Sequence, residues 1–191
     1  MAKKTHTEKE HSDKKRNCMI GLGRIADAIS KILKENFVGF YIIGSFVMGD
    51  WNPKKSDVDF IVVTRKPLNN KESVEIGKLH LALSKSDLGK KLDGAYAYLE
   101  QLQKKRFGEK TGTVENHEFK ANYPCRLSAD NILCLLRHGK CVQGMPIEEL
   151  SLSVSDEELN QAVYDMLLED TDEIDKEGSF QELYYILVDI L

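Results

Sequence analysis

Two short apolar segments, each beside a small polar motif, constrain the fold of this chain more than any other feature. Residues 40–43 lead into Gly44-Ser45, and Asp57 and Asp59 lead into the continuous apolar run at 60–63. Both segments have the length and the aromatic or β-branched content of strands. A continuous apolar run is typical of a strand covered on both faces, so we expect a sheet packed between two layers.

The two aspartates point to one face of the second predicted strand. Side chains alternate along a strand, so Asp57 and Asp59 lie on the same side, roughly 6–7 Å apart along the backbone. That separation lets both carboxylates reach one divalent cation, or two cations roughly 3.5–4 Å apart. The alternative is a surface strand with solvated acids. It is disfavoured, because two carboxylates leading into a buried strand repel each other unless a cation lies between them.

The Gly44-Ser45 turn directly follows the first predicted strand. Glycine lets a backbone approach a ligand closely, and such a turn offers N–H groups and a hydroxyl to a phosphate. Carboxylates that bind metal beside a turn that binds phosphate predict a site that handles nucleotides. Nucleotide transfer also needs a base for the attacking hydroxyl. Asp93 is the candidate, although the residues alone leave open a solvated aspartate at the start of a strand.

Periodicity and capping residues predict the other elements. A third strand is expected at 92–99, a short strand at 141–142 and a mobile polar loop at 104–118. Helices are expected at 19–33, from the Asn69 and Asn70 caps to the mid-eighties, and from Ser128 to Gly139. Two capping boxes predict one further helix each, and they are Ser155 with Glu158 and Ser179 with Glu182.

Composition limits the class of protein. The 191 residues are 41% hydrophobic and 30% charged, with a net charge of −4, which is typical of a globular protein. Basic stripes with interleaved aromatics are missing from the sequence, so we expect no nucleic-acid partner. The longest apolar stretch is too short to span a bilayer, so we expect no membrane partner. The four cysteines form no CxxC pair, which predicts reduced thiols in a cytoplasmic protein.

Three segments, followed by an acidic helical segment, carry a resemblance to a known family. IIGSFVMGDWNPKKSDVDFIVVT resembles the Gly-Ser and Asp-x-Asp signature of the DNA polymerase β-type nucleotidyltransferase superfamily. KLDGAYAYLEQL resembles the strand of the streptomycin and spectinomycin adenylyltransferases that carries their catalytic acid, usually a glutamate. LLRHGKCVQGMPIEEL resembles the segment that closes the N-terminal domain of those enzymes. The resemblance covers residues 18–170 and extends to uncharacterised relatives of these enzymes.

This resemblance implies an α/β (α+β) fold, a small mixed sheet flanked by helices, and a magnesium-dependent adenylyltransferase. ATP would be the co-substrate, two magnesium ions would be bound, and AMP would pass to a hydroxyl of a small molecule such as an aminoglycoside antibiotic. The implied site residues are the metal ligands Asp57 and Asp59, the base Asp93, and the nucleotide contacts Gly44, Ser45 and Ser56. Asp93 is one methylene shorter than the glutamate usual in the family.

The resemblance also implies a domain organisation. A disordered tail is expected at 1–17, a nucleotidyltransferase domain at 18–150, and the start of a truncated helical domain at 151–191. Acidic residues concentrate at 156–175, where they would attract a polycationic acceptor, although a solvated acidic helix face explains them equally well. The apolar last helix predicts either a larger helical region or self-association with another subunit. Two rival functions stay open: modification of a partner protein, as in toxin–antitoxin pairs, and nucleotide binding without catalysis.

Overall fold

The structure is a computed structural model that describes residues 6–125 and 127–164. The chain divides into two compact units, Met1–Ser153 and Val154–Leu191. The described part of the second unit contains a helix at 156–164. The helices and strands of the first unit are, in chain order, α1 His6–Leu33, β1 Phe37–Ile42, α2 Ser45–Met48, β2 Val58–Thr64, α3 Asn70–Leu83, β3 Leu92–Tyr98, α4 Leu99–Gln103, β4 Lys110–Glu115, β5 Glu118–Pro124, α5 Ala129–His138 and β6 Lys140–Gly144.

The strands form one mixed sheet in the order β5-β4-β3-β2-β1-β6. β2 and β3 are parallel, and the other neighbouring pairs are antiparallel. A parallel pair needs a long connection, and here the connection contains α3. The predicted α/β class with a small mixed sheet and flanking helices is confirmed.

One face of the sheet packs against α1 and α3. Phe40 of β1, Phe60 of β2 and Tyr96 of β3 join Ile29 of α1 and Ile76 of α3 in one hydrophobic core. On β2, the residues that alternate with this core are also withdrawn from water, as Ile61 and Val63 show. β2 is therefore covered on both faces, which is what its apolar run predicts. Alternation places Asp59 on the side of Ile61 and Val63, opposite the core of α1 and α3.

Capping residues begin the helices where the sequence predicts. The Asn69 side chain accepts the Glu72 N–H at 3.0 Å, and the Glu72 carboxylate accepts the Asn69 N–H at 2.9 Å. Ser155 and Glu158 form the same reciprocal pair at the start of the helix at 156–164. α5 begins directly after Ser128. These boxes satisfy backbone donors that the first helical turn leaves without intrahelical acceptors.

The predicted disordered tail is wrong for residues 6–17, which form the first turns of α1. Lysine and glutamate are both good helix formers, so a charged stretch can extend an adjoining amphipathic helix. Asp13 and Arg16 also form an ion pair of 3.5 Å, one turn apart on that helix. High charge is compatible with an exposed helix as well as with disorder.

The predicted mobile loop at 104–118 is wrong for residues 110–115, which form β4, and a turn leads from there into β5. Asn116 and His117 both have positive φ, at 50° and 70°, which is the conformation of a tight hairpin turn. Thr113 and Val114 are buried, whereas most of their neighbours are polar. The hairpin was missed because its apolar content is low and the turn lacks the usual glycine.

Several predictions fall outside the described residues. They include the last helix at 183–191, its capping box at Ser179 and Glu182, and most of the acidic segment at 156–175. Within 6–125 and 127–164, no helix combines the length and the apolar character needed to cross a membrane. The domain boundary at 150/151 and the truncated helical domain after it stay predictions.

Candidate active site

Three aspartates lie at one end of the strands, where the parallel strands β2 and β3 begin. Asp59 and Asp93 are partners in the register of these strands, which run about 4.8 Å apart. Asp57 precedes β2 by one residue and is exposed, and its negative charge contributes to the raised pKa of Asp59. The sequence predicts that these three carboxylates belong together, and the strand register brings Asp59 and Asp93 side by side.

The Gly44-Ser45 turn lies at the same end of the sheet because β1 runs antiparallel to β2. The end of β1 therefore lies beside the start of β2. The Ile43 N–H donates to the Asp59 carbonyl at 3.0 Å, one residue beyond the last residue of β1. This bond extends the β1–β2 pairing to the residue that carries the central carboxylate.

Gly44 packs directly against the Asp59 carboxylate. Its φ of 67° and ψ of −158° lie in a region that is essentially restricted to glycine. A Cβ added at Gly44 would lie 2.2 Å from Asp59 Oδ2. Close approach of the glycine backbone was expected toward a phosphate, and the structure shows it toward a carboxylate of the same site.

Ser45 begins α2, a single helical turn. The Val47 and Met48 N–H groups donate to the Gly44 carbonyl, at 3.1 and 3.2 Å. No hydrogen bond holds the Ser45 hydroxyl within the part of the chain that the structure describes. The serine is therefore fixed through its backbone, and its hydroxyl is available to a ligand.

The charges that shift the pKa of Asp59 are both negative. Burial, followed by the negative charges of Asp93 and Asp57, raises the pKa of Asp59 to about 6, and a backbone hydrogen bond partly opposes this. Among the described residues, no lysine or arginine forms an ion pair with Asp57 or Asp59. Neighbouring carboxylates in this condition favour a proton or a cation between them.

Residues 26–120 match the family model described as a nucleotidyltransferase domain, and this range contains the turn and all three aspartates. The chain carries a nucleotidyltransferase domain. The predicted superfamily and the predicted enzyme class are confirmed at this level. The roles given to individual site residues stay predictions.

Solved structures show the same fold. The spectinomycin adenyltransferase AAD(9) from Enterococcus faecialis, solved with ATP and spectinomycin, is 21% identical to this chain with a TM-score of 0.57. That match covers 79% of this chain and 66% of the adenyltransferase, so this chain spans just under two thirds of its length. At this identity the likeness establishes the fold alone.

Two toxin–antitoxin structures match less well. A complex with AMP-PNP is 18% identical with a TM-score of 0.36, and it is covered to 98% by 80% of this chain. The MntA-HepT pair is also 18% identical, with a TM-score of 0.32, and it is covered to 96% by 80% of this chain. No curated protein gives a significant match.

Ser56 has a structural role in the nucleotidyltransferase domain. Its hydroxyl accepts the Asn52 N–H at 3.0 Å, and its carbonyl accepts a hydrogen bond from Lys91 Nζ at 3.0 Å. Lys91 directly precedes β3, so it ties the loop before Asp57 to the strand that carries Asp93. The sequence contains no signal for this tie, because its two residues are 35 positions apart. Nucleotide contact by Ser56 stays a prediction.

The carboxylates of the candidate site suit magnesium, which keeps several ligands from water and substrate, better than a metal ion whose ligands all come from the protein. Among the residues that the structure describes, no group of three or more histidine, cysteine, aspartate or glutamate side chains is arranged to hold a metal ion. Magnesium usually takes only one or two carboxylates from the protein and completes its octahedron with water and phosphate oxygens. Asp57 and Asp59 supply two neighbouring carboxylates, so the residues fit an ion that arrives with a nucleotide.

Sequence reasoning missed a cysteine at this site. The Gly44 N–H donates to Cys134 Sγ of α5 at 3.3 Å. The four cysteines were predicted to be reduced structural thiols, and all four are free in the structure. Nothing in the sequence separates Cys134 from the others, because its contact spans 90 residues.

Proposed function

We propose that the chain is a magnesium-dependent adenylyltransferase that transfers AMP from ATP to a hydroxyl group of a small molecule. The observation that carries this proposal is the juxtaposition of Asp59 with Asp93 in the strand register and with Gly44 through direct contact. Nucleotidyl transfer is the chemistry of the matched family. ATP is the nucleotide in the structure of the adenyltransferase with the same fold, which supports adenylyl transfer here.

Each residue of the site has a role in this reaction. Asp57 and Asp59 would hold magnesium, which neutralises phosphate charge and supports the pyrophosphate leaving group. The Ser45 hydroxyl would hold the triphosphate. Asp93 would accept the proton of the acceptor hydroxyl while the acceptor oxygen bonds to the α-phosphorus and the bond to pyrophosphate breaks. Because aspartate is shorter than the usual glutamate, the acceptor hydroxyl must come close to β3.

An aminoglycoside is the candidate acceptor. Such compounds combine hydroxyl groups with several positive charges, and this chain has a net charge of −4 with nine acidic residues at 156–175. Opposite charges raise the rate of encounter between a ligand and a protein, most strongly at low salt. The adenyltransferase with the same fold was solved with spectinomycin, which supports an acceptor of this type.

The test is transfer of label from ATP carrying a radioactive α-phosphate. The protein is incubated with this ATP, magnesium and a panel of aminoglycosides and other hydroxyl compounds, and the products are separated by chromatography. We expect label in a small-molecule product, equimolar pyrophosphate, and loss of both when magnesium is chelated. An Asp59→Asn variant controls for contaminating enzymes.

Two other outcomes would contradict the proposal. Transfer of label to a protein in cell extract, but to no compound of the panel, would identify a protein-modifying enzyme. Binding of ATP without pyrophosphate release across the panel and the extract would identify a module that binds nucleotide without catalysis.

A further inference from the structure

Gly44 uses all of its backbone polar groups inside the protein. Its N–H donates to Cys134 Sγ at 3.3 Å, and its carbonyl accepts the Val47 and Met48 N–H groups. A backbone N–H that already has an acceptor is a poor donor to a phosphate. The sequence suggests that both Gly44 and Ser45 bind phosphate, whereas these bonds leave that role to Ser45.

Cys134 is suited to be a lasting acceptor for this N–H. It lies on α5 and is half-buried, and burial raises the pKa of its thiol. The sulfur therefore stays a neutral thiol at neutral pH, with a lone pair for the Gly44 N–H. The Gly44 hydrogen bond opposes this rise in pKa, and the negative charges of Asp130 and Asp59 add to it.

We infer that Cys134 is a positioning residue of the nucleotide site. Gly44 has a sparsely populated backbone conformation, and such conformations persist only when surrounding contacts fix them. The Cys134 acceptor fixes the turn from α5, and the Ile43–Asp59 bond fixes it from β2. Together these two bonds hold the Asp59 carboxylate against Gly44 and set the direction of the Ser45 hydroxyl. The effect on nucleotide binding rests on the proposed function, whereas the restraint on Gly44 does not.

The restraint is tested first in the protein without nucleotide. Amide exchange at Gly44 is measured by NMR in wild type, in Cys134→Ala, which removes the acceptor, and in Cys134→Ser, which keeps one. A hydrogen bond of ordinary strength predicts Gly44 exchange about fivefold faster in Cys134→Ala and near wild type in Cys134→Ser. Equal exchange rates in wild type and Cys134→Ala would overturn the inference whatever the protein binds.

The positioning role is tested by titration with a non-hydrolysable ATP analogue and magnesium. We expect Cys134→Ala to weaken binding about fivefold and Cys134→Ser to restore it to within about twofold. Cys141→Ala is the matched control, because the Cys141 thiol bonds to the Met145 carbonyl instead of the turn. The melting temperature of each variant separates a local loss from general destabilisation.

The outcomes distinguish the inference from the proposed function. Binding by Cys134→Ser as weak as that of Cys134→Ala, or equal weakening in Cys141→Ala, would overturn the positioning role and leave the function intact. A wild-type protein that does not bind the analogue would overturn the proposed function, while Gly44 exchange would still decide whether Cys134 restrains the turn.

Discussion

Asp59 is partly buried and His80 is buried, and the groups around the two side chains are of opposite kinds. Asp59 faces the like charges of Asp93 and Asp57, and burial with these charges raises its pKa to about 6. His80 is 2% exposed, shares a hydrogen bond of 2.7 Å with the Tyr96 hydroxyl, and stacks on aromatic rings. Burial lowers the pKa of His80 to about 4, so the ring is neutral at neutral pH.

The difference separates a buried polar group that stabilises the fold from one that serves a ligand. The His80 ring has a partner inside the protein and carries no charge, so its burial is compatible with a stable core. The Asp59 carboxylate is negative at neutral pH and is surrounded by further carboxylates, which disfavours the folded state. Such an arrangement is typical of functional sites, where a cation or substrate supplies the missing interaction.

Substitution of Asp59 should have the largest effect. We expect Asp59→Asn to lower turnover at least about a hundredfold, because a metal ligand is lost. Without metal, the same variant should be more stable than wild type by about 1 kcal/mol, since one repelling charge is removed and solvent screens part of the gain. Turnover and urea unfolding in the presence of a chelator measure the two effects.

The control for Asp59→Asn is Asp27→Asn, which changes an exposed aspartate of α1. It should alter neither turnover nor stability appreciably. Unchanged turnover in Asp59→Asn would rule out the metal role. A clear loss of stability without metal would show that Asp59, like His80, has a stabilising partner within the protein.

Substitution of Asp93 tests whether its role differs from that of Asp57 and Asp59. Asp93→Asn should lower kcat by about a hundredfold or more, with the affinity for ATP and magnesium changed by less than about twofold, since a base acts in the chemical step. Asp93→Glu should keep measurable turnover, because the carboxylate is retained. Full activity of Asp93→Asn would remove this residue from the mechanism, and a matching loss of nucleotide affinity would make it a metal ligand instead.

The sequence marks the candidate site residues more clearly than the contacts that hold them. The Gly44-Ser45 turn, Asp57 and Asp59 could be grouped because they adjoin two neighbouring predicted strands, whereas the role of Asp93 rests on the family resemblance. The Cys134–Gly44 and Lys91–Ser56 bonds span 90 and 35 positions, so only the folded chain reveals them. β4 and β5 were missed for a related reason: most of their side chains are polar, and pairing with β3 makes them strands. His80 carries no sequence mark of burial beyond its place on α3.

The third prediction tests whether the surroundings of Asp59 depend on Gly44. Gly44→Ala should cost about 2 kcal/mol of stability and lower turnover at least about tenfold, because the new methyl group would displace the Asp59 carboxylate. Gly49→Ala is the matched control, since Gly49 also has positive φ, at 107°, but nothing lies within 4 Å of its added Cβ. It should cost about 1 kcal/mol and keep turnover. Equal losses of turnover in both variants would trace the effect to backbone strain alone.

The smallest expected effect concerns His80 and appears only in acid. Its pKa is lower in the folded than in the unfolded chain, so its contribution to stability is complete above about pH 6.5 and is lost as the pH falls toward 4. The loss is at most about 3 kcal/mol. His80→Gln does not titrate and retains a polar group for the Tyr96 hydroxyl, so its free energy of unfolding should depend less on pH between 7 and 4.5. Urea unfolding of both proteins across this range measures the difference in slope, and turnover at pH 7.5 should persist in the variant. Identical slopes would mean that His80 is charged in the folded protein or exposed to water, and its contrast with Asp59 would then disappear.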